Sequence, residues 1–378
     1  MRILSDFAEI RRTQTRNWAL LTIFATSVVP VCAAQRSTVQ QLQQFLVQQQ
    51  AAHRSDGEIA RELGSVHLTE RLAQPDLDRI REEIKPGAQT AAALDLLADL
   101  SAFLASPASE LPHKDPPESA EQREILKAAD QFVNSTLQRL PDFLATRTTR
   151  SFEDIPVLMR RHTFQSGLHA ADTHTSGVAY RAGHEIANSA TADAGANASE
   201  GQFSLGLTST GEFGPVLATI MKDSANGTIT WSHWEQTSEG LAAVFRYSVP
   251  KQASHYEVDL CCVWMTAANS VVSYRGKPAY HGFLWINPST GAIVRVTLEA
   301  QFKDFDIPPR YGLMVKYGKV DIGGSSFICP VRSVVITQID TPANGHTWMN
   351  FYLNEVKFTG YHKFGSTVRI LPTAPAKQ

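Results

Sequence analysis

Two hydrophobic periodicities divide the chain. In residues 35–105, apolar side chains recur at the three- and four-residue spacing of a helix, as at Val39, Leu42 and Leu46. This part is rich in Ala, Leu, Gln, Glu and Arg, which have high helix propensity. Ser55-Asp56-Gly57-Glu58 has the form of a capping box, in which Ser and Glu bond the helix N-terminus. The pattern predicts a small domain of short helices.

From about residue 143, apolar side chains recur at every second position, which is the period of a half-buried strand. Ala243, Phe245, Tyr247 and Val249 share one face of such a run. Further runs lie at 228–234, 256–264, 280–286, 292–302, 313–322, 326–338 and 347–359. Asn287-Pro288-Ser289-Thr290-Gly291 is typical of a hairpin turn, because Asn and Gly tolerate positive φ. These spacings predict one antiparallel sheet, strongly curved or nearly closed.

Composition sets the predicted boundaries between these parts. The prolines in 106–118 predict a linker, and the small polar residues of 187–201 predict a flexible loop. Apolar positions within 119–140 and 213–221 predict helices that pack on the sheet. We therefore predict an α+β fold. Its β-domain, at 119–372, is a curved antiparallel sheet that forms an incomplete barrel and packs on one or two helices. The other parts are a signal peptide at 1–34, a helical domain at 35–105, a Pro-rich linker at 106–118 and a loose tail at 373–378.

The first segment has the three regions of a secretory signal peptide. Basic residues such as Arg11 and Arg12 precede an apolar run, Trp18 to Val31. Cys32-Ala33-Ala34 then supplies small residues before a predicted cleavage at Gln35. The run is shorter than the roughly 20 residues of a membrane-spanning helix. We predict a secreted or periplasmic protein that is not an integral membrane protein after cleavage; the alternative is an uncleaved anchor.

Charge and composition exclude several classes of protein. The formal net charge is −2, so the chain has no basic excess with which to neutralise phosphates, and we predict no nucleic-acid partner. A hydrophobic content of 43% is that of a globular protein and excludes wholesale disorder. The sequence contains no glycine-rich phosphate loop and no established nucleophile motif. We accordingly predict no cofactor and favour a non-catalytic function.

Three cysteines follow the predicted cleavage site: Cys261, Cys262 and Cys329. An oxidising compartment makes a disulfide plausible. Neighbouring residues of a strand face opposite sides, so Cys261 and Cys262 cannot both face Cys329. One alternative is therefore a single disulfide between Cys329 and one of the two neighbours. The other alternative is three buried free thiols.

A cluster of polar side chains is a weak candidate for a metal site. His169, Asp172 and His174 lie within six residues, and both His and Asp side chains can ligate zinc. Their spacing matches no established zinc motif. A metal-dependent hydrolase that uses this segment is therefore a further alternative rather than the leading hypothesis.

Several motifs resemble those of a family of secreted bacterial proteins without an assigned activity. They are Thr69-Glu70-Arg71-Leu72, Gly211-Glu212-Phe213-Gly214, Trp231-Ser232-His233-Trp234, Ser254-His255-Tyr256-Glu257 and Cys329-Pro330-Val331-Arg332-Ser333. The resemblance covers most of the chain after residue 34. It implies a protein of the bacterial envelope and no particular mechanism.

A second resemblance covers roughly residues 228–371. Gly282 to Gly291, with Trp285 ahead of an Asn-Pro-Ser-Thr-Gly turn, is similar to the strand–turn–strand of LolA-type lipoprotein-localisation carriers. In those carriers Asp stands where this chain has Asn287. The resemblance implies an incomplete antiparallel barrel that is covered by helices and encloses an apolar cavity for acyl chains.

These observations lead to two functional hypotheses besides the metal-dependent hydrolase. The first is an exported binding protein for a lipid, an acyl chain or an apolar peptide. Its candidate lining residues are Trp231, Phe245, Tyr247, Tyr256, Trp264, Trp285, Val294, Val296 and Leu298, which could equally fill a core. The second is a structural or protein–protein interaction module in which the helical domain docks an envelope partner. An exposed apolar patch within 37–104 would favour the second hypothesis.

Overall fold

The computed structural model describes residues 35–136, 139–159, 162–187, 211–303 and 305–364. The side chains of Thr136, Ala187, Cys261, Cys262 and Trp264 lie outside the described part. The predicted signal peptide, residues 188–201 of the predicted loop and the tail at 373–378 also lie outside the described residues.

Four helices form the N-terminal part: α1 (Val39–Ala51), α2 (Asp56–Leu63), α3 (Gln74–Ile84) and α4 (Ala88–Leu100). The predicted capping box is present, since Ser55 Oγ accepts a hydrogen bond from Glu58 N and Glu58 accepts one from Ser55 N at 3.0 Å. Apolar faces meet in a core that includes Leu42, Leu46 and Leu94. Strands β1 (Gln35–Ser37) and β2 (Val66–Leu68) pair beside the helices. None of the described helices combines the length and the apolarity needed to cross a membrane.

The rest of the described chain is mainly strand, as the two-residue period predicts. Helix α5 (Ser119–Gln131) continues into a π-helical turn (Phe132–Thr136), and helix α6 (Pro215–Ser224) precedes the eighth strand. The strands are β3 (Phe143–Asp154), β4 (Pro156–Met159), β5 (His162–Gln165), β6 (His169–Arg181), β7 (His184–Ala187), β8 (Thr228–Thr237), β9 (Gly240–Val249), β10 (Val258–Met265), β11 (Ser270–Gly276), β12 (Ala279–Ile286), β13 (Ile293–Gln301), β14 (Arg310–Ile322), β15 (Ser325–Ala343) and β16 (His346–Lys363).

Ten strands form one antiparallel sheet in the order β7-β6-β3-β16-β15-β14-β13-β12-β9-β8. Strands β7 and β8 are its unpaired edges in the described part, so the sheet is open. Hairpins β4–β5 and β10–β11 stand outside it as separate two-stranded ribbons. Asn287 Oδ1 accepts hydrogen bonds from Ser289 N and Thr290 N in the β12–β13 turn, and Gly291 has φ of 71°. The predicted turn and the predicted α+β fold with an incomplete barrel are both confirmed.

The face of the sheet that carries Phe245, Tyr247 and Val296, called the concave face below, holds the main core. The opposite face, which carries Val244, Trp285 and Val294, is called the convex face. Apolar side chains from β6 near one edge to β8 at the other edge belong to a single buried cluster with α5, α6 and the β10–β11 hairpin. Phe213, just ahead of α6, packs among aromatic rings of β3 and β16. The centroid of its ring lies 5.5 Å from that of Phe143 and 5.1 Å from that of Phe358. Helix α6 therefore closes the concave face of the sheet.

The helical layer, α1 to α4, covers the convex face. Ala102, after α4, belongs to a buried cluster with Met314 and Ile336 of the sheet, and Phe103 packs on the same cluster. A Cβ at position 312 would lie 2.8 Å from the Phe103 ring, so Gly312 permits this close approach. The predicted linker 106–118 is packed against the sheet, because Asp115 O accepts a hydrogen bond from Trp234 Nε1 at 2.9 Å.

Candidate functional site

The sheet register separates the predicted ligand-binding residues. Phe245, Tyr247, Val296 and Leu298 are buried on the concave face, and Trp231 and Tyr256 pack partly buried against the same cluster. Trp285 and Val294 instead belong to a cluster on the convex face. The side chain of Trp264 lies outside the described part.

A β-bulge explains the unexpected position of Val294. Trp285 pairs with Arg295 and Ile286 pairs with Ile293, so Val294 has no partner and turns away from the face that holds Val296. Strict alternation along β13 had placed Val294 and Val296 on one face. The predicted set therefore does not line one common space.

Aromatic side chains on the concave face pack together and satisfy their polar atoms. Tyr247 OH donates to Thr297 O at 2.7 Å, and the Tyr256 and Tyr311 hydroxyls lie 2.7 Å apart. Burial raises the pKa of Tyr247 well above its usual value, so its hydroxyl stays neutral and acts through hydrogen bonds. These residues act as core, while an acyl-binding role for them stays a prediction.

A buried carboxylate of α6 organises the end of this core. Asp223 is fully buried and accepts hydrogen bonds from Tyr280 OH at 2.8 Å and from His255 N at 2.7 Å. His255 Nδ1 lies 2.5 Å from the second carboxylate oxygen, and the side chain of His255 is half exposed. A carboxylate that orients an imidazole in this way is one part of an acid–base site. Sequence analysis missed this pair because 32 residues separate its members.

A cleft of about 550 Å³ opens at the end of strands β9, β12 and β13. Its walls carry apolar side chains, Val249, Pro250 and Pro278, and the polar groups of Tyr274 and Gln301. Lys251 and Lys303 lie at its exposed rim. The volume falls in the range of about 300–1,000 Å³ typical of small-molecule sites.

The interface between the helical layer and the convex face is a network of buried charges. Arg71 pairs with Glu110 at 3.2 Å and also with Glu235, and all three side chains are almost completely buried. Burial opposes ionisation of Glu235, but the hydrogen bond with His233 and the charge of Arg71 lower its pKa to about 2. Burial raises the pKa of Glu110 to about 7. The network therefore ties the two layers together through a charged centre.

The helical layer itself presents little apolar surface. Val47 is the one large apolar side chain that is exposed among the described residues 37–104. The other apolar side chains pack within the layer or on the sheet. The apolar patch that would have favoured docking through the helical domain is therefore not formed there.

Exposed apolar side chains concentrate instead on the β4–β5 hairpin. The exposed fractions are 61% for Leu158, 61% for Met159 and 42% for Phe164. Val157 pairs with Phe164, and Met159 pairs with His162, so Met159 and Phe164 share one face while Leu158 lies on the other. Both faces of the hairpin thus carry exposed apolar groups.

The base of this hairpin is held by side-chain hydrogen bonds. Asp154 Oδ1 accepts from Gly167 N and from Gln165 Nε2, each at 2.8 Å. Gln165 Nε2 also donates to Met349 O of β16 at 2.7 Å. The exposed apolar groups therefore stand on a base fixed to the sheet.

The weak metal candidates lie along strand β6, and all three are exposed. His169 Nδ1 lies 2.8 Å from Gly167 O, and its Nε2 lies 3.5 Å from Glu153. A strand rises about 3.3 Å per residue, which keeps His169 and His174 apart. Across the described ranges, no group of three or more His, Cys, Asp or Glu side chains is placed to hold a metal ion.

Cys329 of β15 is a fully buried free thiol, and burial raises its pKa to about 12. For Cys329, the structure therefore agrees with the alternative in which the thiol is buried and free. The side chains of Cys261 and Cys262 lie outside the described part.

Comparison with known proteins gives distant likenesses among solved structures, including the following two. A chain of the MucA/MucB complex of Pseudomonas aeruginosa is 10% identical with a TM-score of 0.22, over 62% of this chain and 94% of that chain. A chain of the crystal structure of MucB with MucA(peri) is 9% identical with a TM-score of 0.19, over 64% of this chain and 94% of that chain. No family model and no curated protein matches the sequence. TM-scores this low carry no inference, so the function is argued from the geometry alone.

Proposed function

We propose that this chain is an exported binding module of the bacterial envelope that engages a protein partner through the β4–β5 hairpin. The observation that carries the proposal is the concentration of exposed Leu158, Met159 and Phe164 on one short hairpin outside the main sheet. A concentration of exposed apolar groups on a globular protein is typical of an interaction site. The signal peptide predicted from the sequence of residues 1–34 supports the envelope location.

The hairpin also has the rigidity that a binding surface needs. Its base is fixed by Asp154 and Gln165, so little conformational entropy is lost when a partner binds. The ribbon pairs only within itself in the described part, which leaves strand edges to which an extended segment could add. The expected partner is therefore a protein with an extended apolar segment.

Site-specific photo-crosslinking tests this proposal. A photoreactive phenylalanine analogue at position 158 is expected to give a discrete protein adduct in intact cells. Adding Met159→Ser and Phe164→Ser should abolish that adduct, because the two changes remove the apolar surface. Position 271 is the matched control, since Val271 is 53% exposed on β11, outside the hairpin.

Two outcomes would count against a protein partner. Equal adduct yields at positions 158 and 271 would mean that exposure alone explains the crosslinking. Flotation of the purified protein with phospholipid vesicles, lost in the Met159→Ser/Phe164→Ser variant and without any protein adduct, would instead assign the hairpin to a membrane surface.

A second candidate function is binding of an apolar small molecule or lipid, and the cleft near Lys251 and Lys303 favours it. Apolar walls with cationic groups at the rim suit an amphipathic anion. Native mass spectrometry of protein purified from the envelope should then show a bound species of discrete mass. Ala279→Trp should displace it, because Ala279 lines the cleft. A bare polypeptide mass for the unsubstituted protein would contradict this function and leave the hairpin proposal untouched.

A further inference from the structure

Three cations stand in register across the convex face of the sheet. Arg295 of β13 pairs directly with Lys316 of β14, and Lys316 pairs directly with Arg332 of β15. Directly paired residues share a face, and like charges in such positions destabilise a sheet. Arg332 is compensated by Asp99 at 2.6 Å and by Glu355 at 3.0 Å. In the described part neither Arg295 nor Lys316 has a carboxylate oxygen within 4.0 Å, but Arg295 donates a hydrogen bond to Ala102 O at 2.5 Å. The charges of Glu235 and Glu239 act on Arg295 and Lys316 from farther away.

These cations line a small cavity between the sheet and the helical layer. The cavity has a volume of about 100 Å³, and Arg71, Arg295, Lys316 and Arg332 all contribute to its wall. Its acidic wall residues are Asp99, Glu235 and Glu239. Burial raises the pKa of Asp99 to about 7, which weakens its negative charge at neutral pH. Four cations and three acids thus line the cavity, while Glu110 and Glu355, which pair with Arg71 and Arg332, lie outside its lining.

Two further features of the wall point to an anionic ligand. The N-terminus of α3 lines the cavity through Ala73, Gln74 and Pro75, and its N-cap Ala73 makes no side-chain capping bond. Such a terminus presents free N–H groups and a positive dipole end. The Nε atoms of Arg71, Arg295 and Arg332 are buried without a hydrogen-bond partner, as are the acceptors Asp99 Oδ2 and Glu110 Oε1 of the same network. The Arg71 side chain is 3% exposed. Buried donors of this kind are costly unless an acceptor meets them.

We propose that this cavity binds one tetrahedral oxyanion of the phosphate type, which bridges the helical layer and the convex face. The proposal is independent of the hairpin, which stands elsewhere in the fold. A cavity of about 100 Å³ has room for several water molecules and therefore for one small oxyanion. The ligand is free phosphate or the terminal phosphate of a larger molecule.

Lys316 is the group that the anion would neutralise most effectively. Burial lowers its pKa, and the charges of Arg295 and Arg332 lower it further. An oxyanion beside Lys316 would reverse that effect and offset the repulsion along the row. The ion would thereby stabilise the seating of the helices on the sheet.

Isothermal titration of the purified protein with inorganic phosphate, in phosphate-free buffer at fixed ionic strength, tests the proposal. We expect one site per chain and a higher unfolding temperature with phosphate than with sodium chloride. Lys316→Gln should weaken phosphate binding about tenfold or more, because a charge-assisted hydrogen bond is lost. Lys316→Arg should keep the affinity. Lys319→Gln, an exposed position on the same strand, is the charge-matched control and should bind like the unsubstituted protein.

Glycerol 3-phosphate distinguishes the two sources of the ligand. Binding of inorganic phosphate alone would assign a free ion, and equal binding of both would assign the terminal phosphate of a larger molecule. If the Lys316→Gln variant binds inorganic phosphate as tightly as the Lys319→Gln variant does, the proposal is overturned. A phosphate effect on the unfolding temperature no greater than that of chloride would overturn it as well.

Discussion

Replacing Arg71 with Met is expected to lower the free energy of unfolding by about 3–5 kcal/mol, the cost of breaking a buried ion pair by removing one partner. Arg71 pairs with Glu110 and Glu235, and the side chains of all three are at most 5% exposed. Without the guanidinium, two carboxylates are left close together without their shared counter-ion. Urea unfolding monitored by tryptophan fluorescence measures the change.

The pH dependence of this loss has a definite sign. Glu110 has a pKa raised to about 7, so it is ionised at pH 8 and largely protonated at pH 5.5. Protonation relieves the repulsion that the Arg71→Met substitution exposes. The loss of stability should therefore be larger at pH 8 than at pH 5.5.

Arg54→Met is the matched control for Arg71→Met. Arg54 also lies in the helical layer and pairs with Glu58 at 3.2 Å, but its side chain is 48% exposed. Exposed pairs contribute about 0–1 kcal/mol, so this change should be nearly neutral. Equal losses for the two variants would show that the buried network does not hold the helical layer on the sheet.

Replacing Phe213 with Ala is expected to cost about 3–5 kcal/mol, as is typical when a buried aromatic side chain is truncated. The Phe213 ring is completely buried, and its centroid lies 5.5 Å from the ring centroid of Phe143 and 5.1 Å from that of Phe358. Its removal leaves a cavity where α6 meets β3 and β16. Thermal and urea unfolding should both show the loss.

Phe164→Ala is the control for size and aromaticity. Phe164 is 42% exposed on the β4–β5 hairpin, so its truncation should change stability by no more than about 0.5 kcal/mol. A large loss at Phe164 would mean that the hairpin serves the fold rather than a partner. A small loss at Phe213 would mean that α6 does not close the concave face.

The two losses of stability expected for Arg71→Met and Phe213→Ala concern the two opposite faces of the sheet. Its concave face is occupied by α6, α5 and aromatic side chains, while its convex face is occupied by the helical layer. Other parts of the chain thus cover much of both faces, although strand β6 is largely exposed. The proposed sites for a protein partner and for an apolar ligand lie at the β4–β5 hairpin and at the cleft that Lys251 lines.

Local signals explain which features could be predicted from the sequence. The capping box at Ser55 and Glu58, the turn from Asn287 to Gly291 and the predicted run at 280–286 all match the structure. Each depends on residues close together in the chain, where backbone preference and side-chain period decide the outcome. The α+β fold class follows from the same periods.

The functional surfaces depend on contacts between distant residues. A bulge placed Val294 on the opposite face from Val296, and the strand register aligned Arg295, Lys316 and Arg332, which are far apart in the sequence. Asp223 and His255 meet only because α6 crosses the sheet.

The sequence by itself therefore determined the fold class and much of the secondary structure of this protein, because short-range periodicity is enough for both. It did not predict strand β11 or the end of helix α5 at Gln131. Only the tertiary structure decided which side chains face the core, the cation-lined cavity or solvent. The physical reason is that a shift of one residue in strand register exchanges the two faces of a sheet, and register is settled by packing across the whole sheet.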